Sequence, residues 1–186
     1  MADIGNAKIL IVTTHGFEQS ELEVPRDQLR AKGATVHVAT LDGEAATGWQ
    51  GSDWGRPTGA DLRIADADAT QYDALVIPGG QINPDLLRVE APVTALVRAF
   101  AKQGKVIAAI CHAPWVLIEA EFVAGREMTA YPSIRTDLRN AGARVMDEPV
   151  IVDSGIVTSR NPGDLDAFVA KIVEEVEEGH HSRKAA

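Results

Sequence analysis

Cysteine is almost absent from this chain: among 186 residues there is one, Cys111. A single cysteine excludes an internal disulfide framework and predicts a reducing setting, the cytoplasm, where a thiol stays available for chemistry. Basic charge is also in the minority. The 18 Lys and Arg against 27 Asp and Glu leave a net charge of -9, which argues against an electrostatic nucleic-acid binder. No stretch approaches the roughly 18 apolar residues of a membrane span. The start, Met1-Ala2-Asp3-Ile4-Gly5-Asn6, lacks the basic and apolar regions of a signal peptide. There is no internal repeat and no linker. What is present is an ordinary globular composition, 45% apolar and 24% charged, fitting one domain over 1–186 with an ordered core over about 8–178.

Residues 8–13 (KILIVT) form a continuous apolar run rich in β-branched residues, the pattern of a central strand. Ser20 and Glu23 match a capping box, which predicts a helix over 20–32 with Pro25 near its first turn and Gly33 as its stop. Residues 34–40 and 73–78 read as further strands, and 41–61 as an irregular excursion with room for a hairpin. An amphipathic helix is predicted over 92–103, and a strand over the Val-Ile-Ala-Ala-Ile run before Cys111. Short apolar runs follow at 127–130, 143–146, 150–152 and 156–159. Helices are predicted over 134–140 and 164–178, with a frayed tail over 179–186. Strands alternating with helices predict an α/β fold, a doubly wound sandwich around a mostly parallel central sheet.

Cys111 sits where a strand ends and a helical pattern begins. Ala109 and Ala113, two positions either side, are small enough for a sharp strand-to-helix turn that pushes the sulfur into a crevice. Taken alone, a cysteine after an apolar strand is more often a small core residue. Two other segments change the balance, because they also fall just beyond apolar strands: Thr13-Thr14-His15-Gly16-Phe17-Glu18 and Pro78-Gly79-Gly80. Doubly wound sheets bind ligands at this end. Glu18 reads either as a site carboxylate or as a surface charge favoured by the helix dipole. Gly79 and Gly80 either present N–H groups or only turn the chain.

Placed together, these residues predict a nucleophile. A helix N-terminus favours the thiolate and lowers the thiol pKa. His112 can move protons near neutral pH. Glu18, protonated in a partly desolvated pocket, can donate a hydrogen bond to the thiolate, and the N–H groups of Gly80 and His112 can hold an oxyanion. Asp85 is a candidate for orienting His112, with a helix N-cap as its other reading. His15 is a weaker candidate, and His37, alternating within a strand, reads as structural. No metal-ligand spacing involves the lone cysteine, and no pattern demands an organic cofactor.

These residues resemble the DJ-1/PfpI superfamily, and within it the PfpI-type branch. The landmarks are Gly16-Phe17-Glu18 with Glu21-Leu22 and Pro25, then Asp73 to Gly80, Ala109 to Pro114, Tyr131-Pro132, and Thr158 to Leu165. The resemblance implies a flavodoxin-like sandwich in which Cys111 is the nucleophile and Glu18 the carboxylate touching it. It also implies a homodimer, in some relatives a hexamer, with Asp85 approaching His112 from a neighbouring subunit. Trp115 and Arg160 join His15, Gly79 and Gly80 as expected substrate or oxyanion contacts. The implied activity is a stress-protective cysteine hydrolase of carbonyl adducts, acting on small carbonyl compounds or glycated protein groups. A peptidase or amidase acting on peptides is the second reading. A non-enzymatic redox sensor working through oxidation of Cys111 is the third.

Overall fold

The computed structural model describes residues 3–181. Its first half runs β1 (Lys8–Thr13), α1 (Gln19–Ala31), β2 (Thr35–Thr40), β3 (Ala46–Gln50), β4 (Asp53–Thr58), β5 (Leu62–Arg63) and β6 (Ala74–Ile77). There follow α2 (Ile82–Arg88), α3 (Ala91–Lys102), β7 (Val106–Ile110) and α4 (Pro114–Glu119). The last part holds β8 (Glu127–Met128), α5 (Arg135–Asn140), β9 (Arg144–Val145), β10 (Val150–Asp153), β11 (Ile156–Ser159) and α6 (Leu165–Glu178). Seven strands form one sheet in the order β10-β11-β7-β6-β1-β2-β5, parallel except for β10 against β11. The mostly parallel α/β sandwich read from the sequence is the fold.

Alternation along the strands builds two cores. Ile9, Ile11, Val36, Val38, Val76, Ala108 and Val157 face Leu22 and Leu29 of α1 and Phe168, Val169 and Ile172 of α6. Leu10, Val12, Leu75, Ile77, Ile107 and Ala109 face the other way, onto Val93, Val97 and Phe100 of α3, Val116 and Leu117 of α4, and Leu138 of α5. Both faces are covered, which is why these strands read as unbroken apolar runs. Each large, fully buried side chain in these layers contributes roughly 1.5–3 kcal/mol by its removal from water.

Several local expectations change. The excursion after β2 does carry a hairpin, β3 with β4, and Trp49 meets Trp54 edge-on across it at 5.5 Å. The capping box does not form. Ser20 lies inside α1 and donates to Glu18 Oε1 at 3.2 Å, while Glu23 accepts from Gln19 Nε2 at 2.7 Å and pairs with Arg56 at 2.6 Å. Within the tail read as frayed, the His181 N–H donates to Gly104 O at 2.9 Å, and its ring lies 3.4 Å from Glu175. Residues 182–186 of the expected tail lie outside the described residues. His37 is structural, with Nδ1 3.0 Å from the Tyr72 hydroxyl. Among the described residues, no helix is long and apolar enough to cross a membrane.

The chain order places β2 on one side of β1 and β6 on the other, so a crevice opens between the loops that follow β1 and β6. Asn83, at the start of α2 and fully buried, ties these loops together. Its Oδ1 accepts from the Thr14 N–H at 2.7 Å and the Thr13 hydroxyl at 3.1 Å; its Nδ2 donates to Pro78 O at 2.9 Å and Gly79 O at 3.3 Å. Asn83→Ala leaves several of these groups unpaired in a dry site, and the expected cost is about 2–4 kcal/mol in chemical denaturation. A loss below about 0.5 kcal/mol would show that water replaces the amide freely.

Candidate active site

Three strand ends meet at Cys111. The residue has φ of +64°, a left-handed conformation rare for any side chain but glycine. Backbone hydrogen bonds hold it on both sides: its N–H donates to Ser159 O at 3.0 Å and its carbonyl accepts from the Tyr131 N–H at 2.9 Å. Ala109 and Ala113 are fully buried beneath it, so the sharp turn expected from their size is present. The thiol is recessed, and the whole residue is 6% exposed.

The carboxyl group beside the sulfur is Glu21, and Glu18 is not. Glu21 lies one turn into α1, on the same apolar stripe as Leu22, Pro25 and Leu29, and is fully buried. Its Oε2 accepts from the Gly79 N–H at 2.9 Å, its Oε1 is buried without a hydrogen-bond partner among the described residues, and the carboxyl and the Cys111 side chain crowd the same side of Gly79. Glu18 sits at the half-exposed start of the helix, where its carboxylate takes the Ser20 hydroxyl. The expectation fails by one helical turn, because a residue at the mouth of α1 points along the rim whereas one three positions later points inward. Glu21 is visible in the sequence as a carboxylate in register with an apolar stripe.

Burial pushes the Glu21 carboxyl up to about 8, with the Glu18 charge as a second cause and the Gly79 N–H opposing. At neutral pH it is therefore mostly protonated, able to donate to sulfur rather than repel it. Cys111 departs from the lowered pKa read from the sequence. Burial first, and Glu21 when ionised, push the thiol above its ordinary value, while N–H groups of Gly80 and His112 pull it down. A six-residue helix after the turn does not outweigh desolvation.

The glycine pair is dictated by crowding. A Cβ on Gly79 would collide with the Glu21 carboxyl and the Cys111 side chain, and one on Gly80 (φ +80°) with Gly16 O. The N–H of Gly79 is taken by Glu21, so of the two glycines it is Gly80 that faces the sulfur.

His112 is aimed as a base would need to be. Its Nδ1 lies 3.1 Å from the Cys111 sulfur and its Nε2 3.0 Å from the Ser133 hydroxyl. The ring stacks on Tyr131 at 4.7 Å and meets Trp115 edge-on at 5.3 Å. Burial holds the imidazole below the usual histidine value, toward its neutral form. Sequence reasoning misses Ser133 and Tyr131 as partners of the ring; only the turn chemistry of Tyr131-Pro132 hints at a fixed loop there.

The remaining expected contacts are placed as follows. Trp115 walls the His112 pocket, its indole N–H donating to Asp137 at 2.8 Å and its face under the Arg88 guanidinium. Asp85 is exposed on α2 and lines an open hollow of about 320 Å³ with Gln81, Ile82, Leu86 and Trp115. It is within α2 rather than at its N-cap, and Ser133, not Asp85, holds His112 within the subunit. His15 is turned to the hairpin, accepting the Thr47 N–H at 3.0 Å. Arg160 is engaged by Asp164 at 2.8 Å and Asp147 at 2.9 Å, so its charge is already paired.

The model of the DJ-1/PfpI family matches residues 7–175. The chain belongs to this family. A deglycase of Thermococcus kodakarensis, TK1284, is 37% identical over 166 residues, which are 89% of this chain and 97% of the relative. A Bacillus subtilis protein provisionally named cysteine protease YraA is 41% identical over 162 residues, 87% of this chain and 93% of that one. Among solved structures, Drosophila melanogaster DJ-1beta superposes with a TM-score of 0.83 at 31% identity, covering 93% of this chain and 95% of its own. In this DJ-1/PfpI chain, then, the elbow, the buried glutamate and the glycine pair lie within the span that defines the family.

The buried glutamate has a measurable signature. A carboxyl that stays protonated to about 8 in the fold, but ionises near 4.5 when unfolded, gives its full stability only below about 4.5 and loses it as pH rises toward 8. Glu21→Gln removes that loss. Denaturation midpoints from pH 5 to 8 are expected to show the variant gaining on wild type by a few kcal/mol, since each tenfold change in proton affinity on folding is worth ~1.4 kcal/mol. A difference independent of pH would mean that Glu21 is ionised in the fold.

Proposed function

We propose that this protein is a cysteine-dependent hydrolase of carbonyl adducts, resembling its deglycase-named relatives. One observation carries the reading: a strained, recessed thiol faces an imidazole nitrogen, a neutral carboxyl and two main-chain N–H groups at once. A core cysteine needs none of these.

The chemistry follows from their placement. His112 Nδ1 accepts the thiol proton, and the sulfur displaces the amine or thiol at the carbinol carbon of the adduct, the C–S bond forming as the bond to the leaving group breaks. Charge develops on the carbonyl oxygen, near the N–H groups of Gly80 and His112. The protonated Glu21 stabilises sulfur while it is anionic and returns to a neutral contact once the C–S bond forms. His112 hands its proton to the departing amine or thiol. The hydrogen of the sulfur-bound carbon then moves as a proton to the neighbouring carbonyl carbon through an enediolate, leaving a 2-hydroxyacyl thioester that water hydrolyses to the hydroxy acid and the free thiol. The recessed sulfur, beside a histidine ring flanked by Trp115 and Tyr131, suits a small acyl or carbonyl group better than an extended peptide. The reading extends to assembly: a second copy over the hollow by Trp115 would cover Ile82 and Leu86 and bring its Asp85 to the rim of the His112 pocket.

The test is a side-by-side assay of wild type and Cys111→Ala on methylglyoxal adducts of thiols and amines, on free methylglyoxal, and on peptides. Turnover of the adducts is expected to fall at least about 10³-fold in the variant. Equal turnover in both proteins sinks the hydrolase. Peptide cleavage without adduct turnover gives the site to a peptidase, and peroxide-dependent sulfinate formation with no turnover at all gives it to a sensor.

A further inference from the structure

We propose that Ser133 is a positioning residue that leaves both neutral tautomers of His112 available and opens a proton path from Cys111 to water. The inference rests on Cys111 being the nucleophile of the reading above.

The geometry is bifunctional. His112 spans two groups, sulfur at 3.1 Å from Nδ1 and the Ser133 hydroxyl at 3.0 Å from Nε2. Stacking on Tyr131 and the edge of Trp115 hold the ring, so the two nitrogens keep their assignments. A carboxylate at Nε2 can only accept, and would fix the proton there. A hydroxyl both donates and accepts, so it satisfies Nε2 with or without its proton. Ser133 is exposed on the turn before α5, and its oxygen can pass a proton on to solvent.

The transfer balances without forming an imidazolium, which burial disfavours here. The S–H proton moves to Nδ1, the Nε2 proton moves to Ser133 Oγ, and the original Ser133 hydroxyl proton moves to water. The products are a thiolate, a neutral imidazole protonated at Nδ1, an unchanged serine and a solvated proton. The reverse transfer reloads the ring from solvent after Nδ1–H has protonated a leaving group. The groups around this path are Cys111 and Glu21 on the sulfur side and Tyr131 on the stacked face. Asp137 and Arg88 lie one ring away, on Trp115.

The experiment uses the full chain with ¹⁵N-labelled histidine and needs no substrate. The Nδ1 and Nε2 shifts of His112 are read alongside the iodoacetamide rate of Cys111 from pH 6 to 10. Wild type and Ser133→Thr are expected to show tautomer-averaged shifts. Ser133→Ala is expected to collapse His112 to one tautomer and to slow alkylation at pH 7 by about 5- to 10-fold, with unchanged thermal stability. Wild-type shifts and rates in Ser133→Ala overturn the proposal, as does a Ser133→Thr variant as slow as Ser133→Ala. Shifts moved by Asp85→Asn and untouched by Ser133→Ala also overturn it, and give the role to Asp85. Absence of adduct turnover by the wild type, or equal turnover in Cys111→Ala, would strike the hydrolase reading while leaving these readouts intact.

Discussion

The left-handed backbone at Cys111 is the constraint around which the rest of the site is arranged. Such a conformation costs of order 1–3 kcal/mol for a residue with a side chain, and persists only when its surroundings over-determine it. Here they do: the N–H is held by β11 and the carbonyl by the Tyr131 turn, so the residue is clamped between two independent segments. The turn carries the sulfur off the end of β7 and toward the loops after β1 and β6. Those loops must then come close, which is why Gly79 and Gly80 carry no Cβ and why Asn83 knits both loops together from below.

Burial works against the chemistry it shelters. Removing the thiol from water raises its pKa, and an ionised carboxylate beside it would raise it further. The fold answers with the same burial: Glu21 is so deeply enclosed that it keeps its proton at neutral pH and adds no repelling charge beside the thiol. His112 is handled alike, kept neutral by desolvation while both nitrogens find partners. The pocket therefore holds three titratable groups near neutral pH with almost no net charge, a suitable interior for charge that appears only during reaction.

The sheet is legible in the sequence because its strands are buried on both faces and so carry uninterrupted β-branched runs; β1 and β11 match the sequence reading residue for residue. The sharp turn at Cys111 is legible because small residues stand two positions either side of it, between a strand and a helical pattern. Glu18 outranks Glu21 in the sequence because it stands nearer to the strand end, and the helical stripe carries less weight there. Burial of a carboxylate cannot be seen until Leu22, Pro25 and Leu29 are known to face the sheet. Helix α2 enters the sequence reading only through the N-cap reading of Asp85, too late in the chain, because it is short and opens with Ile82-Asn83-Pro84, where proline at an early helical position resembles a loop. Ser133 is not legible at all: it meets His112 only because the Tyr131 turn is hydrogen-bonded to the Cys111 carbonyl, a contact spanning 20 residues.

A chain with one cysteine can form a disulfide only with another molecule, and the recess around Cys111 decides which. Bridging two proteins needs Cα atoms roughly 4.4–6.8 Å apart across a bond of about 2.05 Å. Two copies whose sulfurs each lie recessed beside Glu21, Gly79 and a histidine ring would have to move these segments to meet both requirements. Small oxidants and low-molecular-weight thiols are not held to that limit. The same depth thus opposes a disulfide between two copies of this chain under oxidation.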